Sequence, residues 1–178
     1  MLVNDLRHDP VAWRILKERA RALATQEMTA ATAPGDELLI FRLGDGSYSL
    51  PAQYIREVQP FRAYTPLPST PPFVVGLVNV GGRLLAALDI RPLLDISPAA
   101  PQPQSLLLVL TANGVEAGLL ADAVVEVRRS DNQLTPALST TAGRAIAWVR
   151  GVDRHLSLLL DPPALLADPR LAVNGAPQ

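Results

Sequence analysis

The chain has 178 residues, a formal net charge of −1, no cysteine, and 48% apolar residues against only 4% aromatic. A chain of this length buries a sizeable core as one domain or two small lobes, and the missing cysteines exclude disulfides and thiolate metal or redox centres. Near-neutral charge provides no field to gather nucleic acid or anionic membrane. No apolar run approaches the ~20 residues of a membrane span, so a soluble cytoplasmic protein without membrane insertion is the expectation.

The opening residues are broken by Asp5, Arg7, His8, Asp9 and Pro10 and do not read as a signal peptide. Asp9-Pro10 is a helix-start signal, followed by Trp13, Leu16, Ala20, Leu23 and Ala24 at helical spacing. The predicted helix fades near Gln26, and 1–36 is read as a helical extension with its linker. A helix packed on the domain's own surface explains this stripe more simply than one docked on a partner. From Glu37 the period becomes strand-like. Strands are expected at 38–43 and 47–50 about the Gly44-Asp45-Gly46 turn, one helical turn at Pro51-Ala52-Gln53-Tyr54, and a strand at 55–59. Five prolines between Pro60 and Pro72 make an extended connection. The stretch 74–94 then reads as a hairpin about Gly81-Gly82, apolar on both faces and expected as the central ribbon of the fold, followed by a short helix starting at Asp89.

After a linker at 97–104 the pattern recurs. Leu39-Ile40-Phe41 is matched by Leu107-Leu108-Val109, Ile55-Arg56-Glu57-Val58 by Val124-Val125-Glu126-Val127, and Leu88-Asp89-Ile90-Arg91 by Leu160-Asp161-Pro162-Pro163. An all-β architecture of two similar five-stranded units sharing an interface follows, with repeats at 37–96 and 104–168 and a frayed tail at 169–178.

Reactive constellations are not in evidence. Asp153 and His155 supply half of a metal site without a second cluster, and Ser157 beside His155 lacks a nucleophile-elbow context. Glu57, Asp89, Asp122, Glu126 and Asp161 recur at equivalent points of the repeat, as caps and rim charges do. The glycine pairs lie between strands and form no phosphate loop. The remaining binding alternative is a barrel taking nucleic acid or a small ligand on Arg128, Arg129, Arg144, Arg150 and Arg154 of the second repeat.

In order, Leu39-Ile40-Phe41-Arg42-Leu43 with Gly46, Ile55-Arg56-Glu57-Val58, Pro66-Leu67-Pro68 through Pro72-Phe73-Val74-Val75-Gly76-Leu77-Val78-Asn79, and Leu88-Asp89-Ile90-Arg91 resemble the CheW-like chemotaxis coupling proteins over 37–168. The resemblance implies two intertwined five-stranded SH3-like β-barrels, no catalysis and no cofactor. It also implies two protein partners. One is the regulatory domain of a histidine kinase, which has the same fold; the other is the cytoplasmic helical hairpin of a chemoreceptor. The expected contact residues are Glu57, Val58, Asn79, Gly81, Gly82, Arg83, Asp89 and Arg91. Where the family carries Asn-Leu-Arg-Gly at the hairpin turn, this chain has Asn79-Val80-Gly81-Gly82, so the arginine that would pair with Glu57 is absent from its usual place. Arg83, two residues on, lies on the same strand face and is expected to reach Glu57 instead. This departure implies a divergent coupling protein, serving a non-standard array or a system other than flagellar motility.

Overall fold

The computed structural model describes residues 36–97, 99–136 and 146–171. The helix expected at 10–26 lies outside that range. Within it the aliphatic runs form β1 (Glu37–Leu43), β2 (Gly46–Pro51), β3 (Ile55–Pro60), β4 (Val74–Val80), β5 (Arg83–Leu88), β6 (Leu106–Ala112), β7 (Val115–Ala121), β8 (Ala123–Arg129), β9 (Leu134–Thr135), β10 (Val149–Asp153) and β11 (Leu158–Leu160). A 3-10 turn, Ala52–Tyr54, precedes β3, and a second, Arg91–Leu94, follows β5. Helix α1 (Pro162–Leu166) follows β11, with Asp161 as its N-cap accepting the Ala164 N–H at 3.1 Å. The first unit's helix is thus a 3-10 turn beginning two residues after Asp89, whose carboxylate accepts the Arg91 N–H at 3.0 Å.

The two repeats exchange strands. Sheet A runs β8-β1-β2-β11-β10-β9 and sheet B runs β3-β6-β7-β5-β4. Each sheet therefore holds the opening hairpin of one repeat and the closing strands of the other, and neither repeat can bury its faces alone. Sheet A has a sixth strand because β9 pairs with β10; its counterpart in sheet B is a single bridge between Thr65 and Leu77. The 74–88 hairpin is not central: β4 forms an edge of sheet B, and Leu84 is 68% exposed.

Bulges mark the repeat more sharply than residue identity does. One skips Arg56 where β3 meets β6, and another skips Val125 where β8 meets β1. These fix the true equivalence: Leu39 is matched by Leu108 rather than Leu107, since a one-residue slip would turn every side chain to the wrong face. Accordingly Leu39 and Leu108 share one core cluster, while Leu107 faces another. Two further bulges skip Val75 and Arg150, and at the glycine after each, Gly76 and Gly151, a Cβ would lie 2.4 Å from the Thr65 carbonyl oxygen and 2.8 Å from that of Thr135. Only glycine lets the proline-bearing connection approach so closely.

The main core lies between the sheets and includes Phe41, Leu50, Ile55, Leu108, Leu119, Trp148 and Leu160. The outer faces differ. Sheet B encloses Phe61, Val78, Val80, Leu85, Leu107 and Val109, whereas among the described residues sheet A has only Leu38, Ile40 and Leu159. In sheet A the positions of Val78 and Leu85 are taken by Asp153 and Ser157, both buried, and Arg128 on the β8 edge donates to the Asp153 carboxylate on β10. A side-chain ion pair thereby bridges strands near opposite edges of a sheet whose ladder stays open. At the C-terminal end the packed chain runs to Leu171, three residues beyond the boundary expected at Asp168. The Trp148 indole Nε1 donates to Asp168 at 2.9 Å, and Arg170 pairs with the same carboxylate at 2.6 Å. Bonding to Arg170 holds the Asp168 carboxyl down at about 2, against the opposing effect of burial.

Candidate functional site

The hairpin β4–β5 and the neighbouring strands of sheet B bring five of the eight expected contact residues to one end of the fold. Gly81 and Gly82 adopt φ of 56° and 86°, the left-handed pair a tight turn requires, and the Asn79 side-chain carbonyl accepts the Gly82 N–H at 2.8 Å. Nothing lies within 4 Å of where a Cβ would stand on either glycine, so the turn is open to a partner. Arg83, just past the turn, reaches Glu57 on β3 at 3.5 Å. Its other terminal nitrogen pairs with Glu116 on β7, and Arg56 closes the chain to Glu116 at 2.6 Å.

The expected Arg83–Glu57 contact therefore exists, but within a four-residue network centred on Glu116. Glu116 lies outside the set of expected contact residues. The signal that would have found it is structural: the parallel β5–β7 pairing, Ala87 opposite Gly118, draws the start of β7 alongside the start of β5. Leu84, beside Arg83, and Val115, beside Glu116, are 68% and 47% exposed, on the opposite face of their strands from the ionic network. A shallow pocket of about 340 Å³, lined by Gln59, Pro60, Phe61, Val78 and Asn79, adjoins the hairpin.

The other three expected residues are enclosed. Val58 is 5% exposed and packs in the main core. Asp89 and Arg91 are 6% and 3% exposed. Arg91 Nη1 donates to Asp89 at 3.0 Å and Nη2 to Asp122, so these side chains are tied to one another inside the fold. Asp89 and Arg91 follow the end of β5, where the chain leaves the strand for the second 3-10 turn.

The arginines of the second repeat are largely neutralised. Arg128 pairs with Asp153, Arg150 with Asp161 at 3.7 Å and Arg154 with Asp131 at 2.8 Å; Arg144 lies outside the described residues. Arg129 is exposed on β8, and three of the five expected arginines carry a carboxylate partner, which offsets part of the charge a nucleic-acid site would use. The Asp153 carboxylate that was half of the candidate metal site is committed to Arg128 and to the Ser157 and His155 N–H groups. Among the described residues no group of three His, Asp or Glu side chains converges to hold a metal, and no helix is long and apolar enough to cross a membrane.

Comparison with known proteins agrees with this geometry. The chain is 32% identical to the chemotaxis protein CheW of Rhizobium meliloti, across 68% of this chain and 79% of that one. It is 35% identical to protein FrzA of Myxococcus xanthus, across 61% and 65%. The crystal structure of the scaffolding protein TtCheW from Thermoanaerobacter tengcongensis superposes with a TM-score of 0.62 at 26% identity, covering 71% of this chain and 88% of that one. The CheW-like domain pattern matches residues 37–170, and the chain belongs to that family.

Proposed function

We propose that this chain couples the cytoplasmic tips of chemoreceptors to a histidine kinase in chemotaxis-type signalling. As a CheW-like protein it is a non-catalytic scaffold, and the relatives named for chemotaxis support the signalling context. In this reading the regulatory domain of the kinase, built on the same fold, docks on one unit, and a receptor helical hairpin lies in a groove of the molecule. The observation that carries the reading is the exposed end of sheet B. Leu84 and Val115 provide apolar area, and the Arg56–Glu116–Arg83–Glu57 network provides a charge pattern that selects a partner. Exposed ion pairs of this kind contribute only about 0–1 kcal/mol to stability, so their value lies in recognition. The glycine turn in place of the family's arginine supports a divergent array, or an output other than flagellar motility.

The test is affinity capture from native lysate followed by calorimetry with the kinase that is identified. A histidine kinase with a CheW-like regulatory domain should bind the parent chain. Leu84→Asp with Val115→Asp should abolish binding while leaving the unfolding transition in place. Unchanged binding by this folded variant would move the interface elsewhere. A steep loss of binding between low and moderate salt, with nucleic acid in the captured fraction, would favour the arginine-based alternative instead.

A further inference from the structure

The chain passes between the sheets at two places within the repeats, and the two joints are built differently. From β2 to β3 it passes through the 3-10 turn Ala52–Tyr54, with no ionic contact to hold it. From β7 to β8 it passes through one residue, Asp122, and every polar group of Asp122 that faces the fold is tied down. Its N–H donates to the Arg42 carbonyl at 2.9 Å, and its Oδ2 accepts the Gly44 N–H at 2.7 Å, so backbone and side chain both hold the β1–β2 hairpin of sheet A. Its Oδ1 accepts from Arg91, whose other terminal nitrogen is held by Asp89 at the end of β5 in sheet B. The Asp89 N–H donates in turn to the Phe73 carbonyl at 2.8 Å, fixing that end to sheet B. One guanidinium, 3% exposed, thus joins the two sheets at their crossover, and its Nε is buried with no hydrogen-bond partner. At the equivalent place in the second repeat stands Pro163.

We propose that Arg91 is a positioning residue that sets the relative orientation of the two sheets, and with it the geometry of two partners held at once. A buried ion pair is poor support for a stability role, since desolvation offsets most of its attraction and apolar replacement of the partners together is often neutral. What a planar fork held by two carboxylates supplies, and an aliphatic contact does not, is direction: both bonds hold at one angle between the sheets only. The part of the inference that concerns partners rests on the adaptor reading above; the part that concerns sheet orientation does not.

The experiment uses the full chain. Because it has no cysteine, Thr111→Cys on β6 and Val125→Cys on β8 give a unique spin-label pair across the two sheets. Arg91→Met, made together with Asp89→Asn so that no buried carboxylate is stranded, is compared with Arg91→Lys, Asp122→Asn and the parent, with cooperative unfolding as the check on folding. The expected result is a single narrow label distance in the parent and a distribution broadened roughly twofold in the double variant, with Arg91→Lys between them. The unlabelled double variant should bind the isolated kinase domain within about threefold of the parent, yet form the ternary complex with a receptor hairpin about tenfold less well, a usual size for coupling between two sites. Folded variants with the parent's narrow distance would overturn the inference. Loss of cooperative unfolding in all three would overturn it too, since the joint would then serve stability. Failure of the parent to bind any kinase domain would refute the adaptor reading, while the label distances would still decide the role of Arg91.

Discussion

The C-terminal clamp makes a quantitative prediction about acid stability. Asp168 is 9% exposed, accepts the Trp148 indole N–H, and is bonded to Arg170 through both side chain and backbone. Its carboxyl sits at about 2, against an ordinary 3.8. That gap corresponds to about 2 kcal/mol favouring the folded state while the group is ionised. Because Arg170 is 51% exposed in its side chain, solvent screening reduces the expected contribution to about 1–2 kcal/mol. The sign follows from the depressed value. The contribution is complete above about pH 5, where the unfolded carboxyl is also ionised, and is lost as pH falls through 4 toward 2. Replacing Trp13 with Phe leaves Trp148 as the single indole, so urea unfolding can be followed by its emission. Asp168→Asn in that background should cost about 1–2 kcal/mol at pH 6, and the deficit should shrink steadily between about pH 5 and pH 2. A deficit of the same size at both ends of that range would show that the ionised carboxylate is not the source, and would refute the argument.

Other substitutions separate steric from electrostatic roles. Gly76→Ala places a Cβ 2.4 Å from a backbone oxygen that cannot move away cheaply, so it should destabilise by about 3 kcal/mol or more in chemical denaturation. Gly82→Ala meets no atom within 4 Å and should cost only about 1 kcal/mol, the price of its positive φ. Arg128→Ala strands the buried Asp153 carboxylate and should lower stability by roughly 2–4 kcal/mol at pH 7, recovering in part in the Arg128→Ala/Asp153→Val double variant. Glu116→Gln should shift stability by less than about 1 kcal/mol but weaken kinase-domain binding, which calorimetry will read directly.

Much of this molecule is legible from local pattern. The strand–turn–strand units, the glycine turn at Gly81-Gly82, the cap at Asp161 and the twofold repeat all follow from alternation, left-handed turn chemistry and side-chain capping, which operate within a few residues. The contact between Arg83 and Glu57 is expected from the family resemblance, but Gly81 and Gly82 form the turn rather than strand, so strand parity does not explain it. Pairing across long sequence separations is not carried by local pattern. It decided that β4 is an edge strand, that Leu39 answers to Leu108, and that Glu116 is the hub of the charge network. Val58 and Val127 occupy the same place in the repeat, yet the first is buried and the second exposed, because different neighbours pack around β3 and β8. Asp89 and Arg91 look like surface charges in one dimension. Only the crossing of the two sheets, which brings Asp122 to meet them, provides the opposite charge that lets a guanidinium stay buried there.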